Sequence, residues 1–154
     1  MIVDPPEHEL QIYRRRLPHW RLRGSVYFVT WRLHNTQPEL LPEERKVVAN
    51  ALCHFDGQRY ELTGYVIMND HVHLIAWPQD DYSLEGLCHS WKSFTAHELQ
   101  KEFRRTGHIW QDESFDRIIR TEGEYYAKLL YILNNPRKRW PDVRDYRWVW
   151  VKGL

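Results

Sequence analysis

Two runs rich in strand-forming residues, Tyr60 to Met68 and His71 to Trp77, are separated only by Asn69 and Asp70. A two-residue spacer permits little except an antiparallel hairpin, although the Asn-Gly pair that usually makes such a turn is missing. What flanks this hairpin sets the rest of the fold. Upstream, Ser25 to Leu33 is dense in β-branched and aromatic residues and reads as a strand. Leu41-Pro42-Glu43-Glu44 then opens a helix that should run to about Phe55, with Pro42 in the first turn and acids at the positive helix end.

Downstream, Ser83 is suited to cap a long helix in which Leu84, Leu87, Cys88, Trp91, Phe94 and Thr95 recur at helical spacing and which should end before Gly107. A short strand is expected around Phe115 to Arg120. Thr121-Glu122-Gly123-Glu124 is a capping-box start for a further helix, which Pro136 should stop at or just before Asn135. The order β-α-β-β-α-β-α predicts an α+β fold: a ferredoxin-like split βαβ with an antiparallel sheet, helices on one face, and a C-terminal helix followed by a basic tail. The expected divisions are an N-terminal basic arm over residues 1–24, a domain over 25–136 and the basic tail over 137–154.

With 154 residues the chain suits one domain of ordinary size. Eight Trp, nine Tyr and five Phe argue against disorder. No stretch approaches the ~20 apolar residues of a membrane span, and the N-terminus lacks the marks of a secretion signal. Two cysteines exclude a disulfide framework and a four-Cys zinc site. The expectation is a cytoplasmic protein. Charge is distributed unevenly beneath a net +1: residues 10–34 carry +6 and residues 134–154 carry +4, around a middle of −6. Sixteen of the 22 basic residues are Arg, whose planar fork suits phosphates and base stacking. Basic, aromatic ends around an acidic middle favour a polyanionic partner over a merely solvated surface.

Within the hairpin, His71 and His73 are two residues apart in a strand and therefore project from the same face, while Val72, Leu74 and Ala76 face the other. Two neutral imidazoles so placed form either a two-ligand seat for a divalent cation or a pair of unrelated hydrogen-bonded histidines. On the last helix, Tyr126, Leu129, Leu130 and Leu133 form an apolar stripe. Tyr131 and Asn135 fall on nearly the opposite side, one turn apart, with Lys128 nearby. Tyr131 is then either a phenol facing a polar site or a half-exposed aromatic, and Asn135 either a metal-binding carbonyl or a helix-end residue.

Together the two sets suit one reaction. A phenol is a weak nucleophile at neutral pH and needs an electrophile strengthened by a cation. Attack by Tyr131 on a phosphodiester would leave a phosphotyrosine linkage and a free 3′-hydroxyl. No Gly-rich phosphate loop is present, which agrees with joining that needs no nucleotide. Alternating aromatic and basic groups in Trp91 to Thr95, Gly107 to Gln111 and Asp116 to Arg120 suit unpaired bases and a phosphate backbone. The candidate contacts are Lys92, Trp110, Arg117, Arg120, Lys128, Arg137, Lys138 and Arg139. Trp91 and Phe94 are better assigned to the core.

Gly64-Tyr65-Val66-Ile67-Met68-Asn69-Asp70-His71-Val72-His73-Leu74-Ile75 resembles the metal-site hairpin of the HUH single-tyrosine transposases. Phe115 to Arg120 and Tyr131-Ile132-Leu133-Asn134-Asn135-Pro136 look like later signatures of that family. Arg15 to Trp20 and Tyr27 to Leu33 point to its REP-associated tyrosine transposase branch, and the likeness spans about residues 13–148. The resemblance implies the ferredoxin-like fold, a Mg²⁺ or Mn²⁺ held by His71, His73 and Asn135, and Tyr131 as nucleophile. The expected activity is nicking and strand transfer on single-stranded DNA beside REP-like hairpins, by a monomer or a homodimer.

Two features depart from the family pattern. Asn69-Asp70 stands where Pro-Asn is usual, so the added carboxylate either binds the metal or orients His71. The tail from Arg137 onward also differs. Two other functions are open at this level: a domesticated, non-catalytic hairpin-binding protein, and an RNA-binding module of the same fold.

Overall fold

A computed structural model describes residues 24–154, so the basic arm expected over 1–24, with its cluster Arg14 to Arg16, lies almost wholly outside the described residues. Strand β1 (Val26–Leu33), helix α1 (Pro42–His54), β2 (Tyr60–Ile67), β3 (His71–Pro78), α2 (Leu84–Phe103), β4 (Trp110–Ile119), α3 (Glu122–Arg139) and β5 (Val149–Val151) follow in chain order. The strands form one sheet in the order β4-β1-β3-β2-β5, each neighbour antiparallel. The first four strands and two helices reproduce the split βαβ arrangement expected from the element order. The tail adds β5 beyond β2.

The hairpin turn forms at Asn69-Asp70 without glycine. The Met68 amide donates to the His71 carbonyl at 2.8 Å, and neither turn residue has a positive φ. Contacts from outside the hairpin stand in for the missing turn preference. Both turn carbonyls accept, Asp70 from the Leu33 amide at 2.8 Å and Asn69 from the Leu40 amide at 2.7 Å.

Alternation along the strands divides the core between the two faces of the sheet. Val29, Trp31, Leu33, Val72, Leu74 and Ala76 pack with Val48 and Leu52 of α1 and Leu87, Trp91 and Leu99 of α2. Trp31 stacks on Trp91 with centroids 6.0 Å apart and meets Trp110 edge-on at 6.1 Å. The opposite face carries Val26, Phe28, Val66, Met68 and Ile75, which pack against Tyr125, Leu129 and Ile132 of α3 and Val151 of β5. A bulge in β2 between Leu62 and Gly64 shifts the alternation by one, so Leu62 faces α1 and α2 while Gly64 lies under Leu129.

Three sequence expectations need correction. Pro136 does not end α3; the helix continues to Arg139, where the Trp140 amide donates to the Pro136 carbonyl. Pro136 is itself buried, and packing there outweighs the missing N–H. The apolar stripe of α3 runs through Tyr125, Leu129, Ile132 and Pro136, not Tyr126 and Leu133. The fourth strand spans ten residues instead of six. Among the described residues no helix is long and apolar enough to cross a membrane.

The tail is tied down by its aromatics. The guanidinium of Arg45 on α1 lies over the rings of Trp140 and Trp148, 5.2 and 5.4 Å from their centroids. Trp140 stacks on Tyr146, and the Tyr146 hydroxyl donates to the Ile67 carbonyl at the end of β2.

Candidate active site

The face of β3 that turns away from α1 and α2 presents His71 and His73, as alternation requires, with ring centroids 4.7 Å apart. Antiparallel register sets Thr30 of β1 opposite His73, and Thr30 Oγ1 hydrogen-bonds His73 Nδ1 at 2.7 Å. The other ring nitrogen, His73 Nε2, is buried and has no hydrogen-bond partner. Burial, reinforced by the positive charges of Arg32, Lys128 and Lys138 and by His71, pushes the His73 pKa down to about 3. The ring is neutral at physiological pH, and in the tautomer whose Nδ1–H donates to Thr30 Oγ1 its Nε2 carries a lone pair able to bind a cation.

His71 is held differently. Its Nδ1–H donates to Asp70 Oδ1 at 2.7 Å, and its Nε2 faces Asn135 Oδ1 at 3.2 Å. Helix α3 delivers Asn135, which is buried although amide side chains are mostly exposed. A helix that turned out of register at Pro136 would not hold it there.

Tyr131 lies one turn before Asn135 and borders the same space. Its ring meets His73 edge-on at 5.1 Å and Phe28 at 5.9 Å, and Phe28 stacks on His73 at 5.3 Å. Two ammonium groups bracket the phenol: Lys138 Nζ lies 4.0 Å from the ring centroid and Lys128 Nζ 5.8 Å. Lys138 follows Tyr131 by seven residues, two helical turns, and reaches the ring because α3 passes through Pro136.

His71, His73, Tyr131, Asn135, Lys128 and Lys138 are therefore brought together in one chain. Arg117 pairs with Glu124 at the start of α3 and Arg139 with Glu39, while Arg120 and Arg137 are exposed, the one just before α3 and the other in its last turn. One expected nucleic-acid contact is corrected and a second lies away from the histidine face. Trp110 is buried with its Nε1–H donated to Thr95 Oγ1, so it has no surface on which a base could stack. Lys92 belongs to the α2–β4 groove, where its ammonium donates to the Gln111 and Asp112 carbonyls and Ser114 Oγ. Phe94, assigned to the core, is exposed, whereas Trp91 is buried.

Thr30 was missed from sequence. The signal was a short hydroxyl side chain within a strand that is apolar or aromatic apart from Arg32, and its meaning emerges only once β1 is registered against β3.

The donor set can be tested for a divalent cation. Among the described residues no cluster of three His, Cys, Asp or Glu is present. The set here is two imidazoles and a carboxamide oxygen. With His71 Nδ1 donating to Asp70, His71 Nε2 and Asn135 Oδ1 are both lone-pair atoms facing each other, and His73 Nε2 is a third, buried without a partner. Apposed acceptors of this kind are stabilised by a cation between them, so the residues fit the group.

This fold has counterparts among known proteins. Residues 28–132 match the family described as IS200-like transposases, and the chain belongs to that family. It is similar to the REP-associated tyrosine transposase of Escherichia coli strain K12, with 27% identity over 132 residues covering 82% of this chain and 72% of that protein. In fold it is similar to a REP-associated tyrosine transposase solved bound to a REP hairpin, with a TM-score of 0.69, 23% identity, and coverage of 87% of this chain and 81% of that one. A candidate transposase from Deinococcus radiodurans R1 shares the fold at a TM-score of 0.54 and 17% identity, over 77% and 96% of the two chains. The branch read from the motifs is thus also the one found among its relatives.

Proposed function

We propose that this IS200-like transposase nicks single-stranded DNA beside hairpins and transfers the cut strand through a 5′-phosphotyrosine on Tyr131. The observation that carries the reading is the Tyr131 ring 5.1 Å from that of His73, whose Nε2 is buried and unpartnered. His71, His73 and Asn135 would hold Mg²⁺ or Mn²⁺. A bound divalent cation would polarise the scissile phosphate and offset charge on the departing oxygen.

The residues of the chain supply the rest. Tyr131 Oη attacks phosphorus, the Oη–P bond forms and the P–O3′ bond breaks. The phenol gives up a proton and the leaving 3′-oxygen takes one, so the step is balanced. Lys128 and Lys138, both beside the ring, favour the developing phenolate and the phosphate together. The new linkage keeps the energy of the broken phosphodiester, so a 3′-hydroxyl can reverse the reaction on another strand without ATP.

The REP hairpin bound by the structural relative suggests the substrate, and Arg117, Arg120, Arg137 and Arg139 are the candidate contacts to its backbone. Tyr131 and both histidines belong to one chain, so a monomer holds a complete set.

Incubating the protein with a labelled hairpin oligonucleotide and Mg²⁺ or Mn²⁺ should give an SDS-resistant adduct that Tyr131→Phe abolishes. An adduct that survives the substitution overturns the assignment of the nucleophile. Hairpin binding without cleavage under any divalent cation would instead mark a non-catalytic DNA-binding protein.

A further inference from the structure

Among the described residues Asp70 is the carboxylate hydrogen-bonded to the histidine pair, and it stands on a turn held in place from outside the hairpin. Its carbonyl accepts from Leu33, the preceding carbonyl accepts from Leu40, and the Asn69 side-chain amide donates to Glu39 Oε1 at 3.0 Å. The carboxylate is thus presented from a fixed backbone, with Oδ1 2.7 Å from His71 Nδ1. The His71 nitrogen that faces Asn135 is the other one, Nε2.

We propose that Asp70 is a positioning residue that fixes the proton of His71 on Nδ1, so that Nε2 keeps a lone pair directed toward Asn135. An imidazole carries its proton on whichever nitrogen has the better acceptor, and a carboxylate outcompetes a carboxamide oxygen for it. The same contact sets the ring plane, because Nδ1 is anchored while Nε2 stays free. Both histidines have Nδ1 occupied, His71 by Asp70 and His73 by Thr30, which leaves Nε2 of each for other partners. Thr30 does so from a buried strand position, whereas the Asp70 side chain is 52% exposed. Substituting Asp70 therefore disturbs no core packing. The inference rests on the proposed cation site for its consequence but not for its direct readout.

The experiment compares the wild type with Asp70→Ala and Asp70→Asn, metal-free at about pH 8, by ¹⁵N spectroscopy of the histidine rings. The wild type should show His71 as the Nδ1–H tautomer. Asp70→Asn, which leaves a carboxamide oxygen on either side of the ring, should shift it part of the way, and Asp70→Ala, which leaves Nδ1 without that acceptor, should shift it furthest toward Nε2–H. An unchanged His71 tautomer in Asp70→Ala overturns the proposal. Mn²⁺ titration by calorimetry forms the second arm. Asp70→Ala should bind roughly 10- to 100-fold more weakly, and Asp70→Asn should fall much less.

Equal loss in both variants with an unshifted tautomer would make Asp70 a direct ligand, against the proposal. A shifted tautomer in a protein whose wild type binds no Mn²⁺ would uphold the positioning role and overturn the cation site. Circular dichroism of each variant confirms the fold in which the readings are made.

Discussion

Arg105, at the end of α2, is the residue whose removal should be felt furthest through the fold. Its guanidinium is buried against Glu44 of α1, donating to Oε1 at 2.8 Å and also to Oε2. It donates in addition to the Pro38 carbonyl at 2.9 Å and the Glu39 carbonyl at 3.0 Å. Arg105→Met keeps much of the apolar volume and removes every one of these donors. Glu44, with a side chain only 2% exposed, is then left as a buried carboxylate without its main partner.

Breaking a buried pair from one side costs about 3–5 kcal/mol. At about 2–4 °C per kcal/mol for a domain of this size, that is roughly 6–20 °C in Tm. The loss should depend on pH. Burial by itself would raise the Glu44 pKa, but the bond from Arg105, the Leu41 amide and the charges of Arg105 and Arg45 hold it below the usual 4.5. A carboxylate depressed in the folded state stabilises above its unfolded pKa and loses that contribution as pH falls through the folded value. The gap between variant and wild type should therefore be widest near pH 7 and narrow below about pH 4.5, where a partnerless Glu44 escapes its penalty by protonation. Thermal melts by circular dichroism at pH 7 and pH 4 read both effects. A variant melting within about 2 °C of wild type at pH 7, or a gap that widens with acid, refutes the reasoning.

Two further outcomes are expected. His73 is neutral when folded, with its pKa at about 3 against an ordinary 6.5, so below pH 6.5 the unfolded chain binds the extra proton and stability declines as pH falls toward 3. Between pH 7 and pH 5 this group alone should remove about 2 kcal/mol, and denaturant melts in EDTA should show that His73→Gln flattens the decline; parallel slopes would contradict it. A Cβ at Gly64 would stand 3.3 Å from Leu129 Cδ2 and 3.4 Å from the Trp150 carbonyl. Gly64→Ala should therefore lower stability by about 1 kcal/mol despite the usual gain from restricting the unfolded chain, and an increase in Tm would show that β5 yields freely.

Much of the fold was legible because the strand patterns alternate cleanly and the helices carry recognisable starts. Ser83 and Thr121 accept from Gly86 and Glu124 as the capping signals require. The His71/His73 pair was legible for the same reason, since two-residue spacing in a strand dictates a shared face. Where pattern was ambiguous, tertiary packing decided. Aromatic and aliphatic residues surround α3 from Tyr125 to Leu133, so periodicity could not choose between Tyr125 and Tyr126 as the buried position. Pro136 is a helix breaker by local rules, yet it is buried within α3. Trp110 and Phe94 exchanged expected roles because no local signal says which aromatic lies beneath α2 and which on its outer side. Thr30 and Asp70 act through partners that only register and turn placement reveal.

The strap formed by Arg45, Trp140, Tyr146 and Trp148, together with β5, fastens the chain immediately after α3, while β4 fastens it immediately before. A segment anchored at both ends has little room to wander. The ordering of the phenol beside the imidazoles is accomplished during folding, so an arriving nucleic acid need not supply the free energy to organise it. Loosening either anchor should impair readiness first, leaving the chemical identity of every participating group untouched.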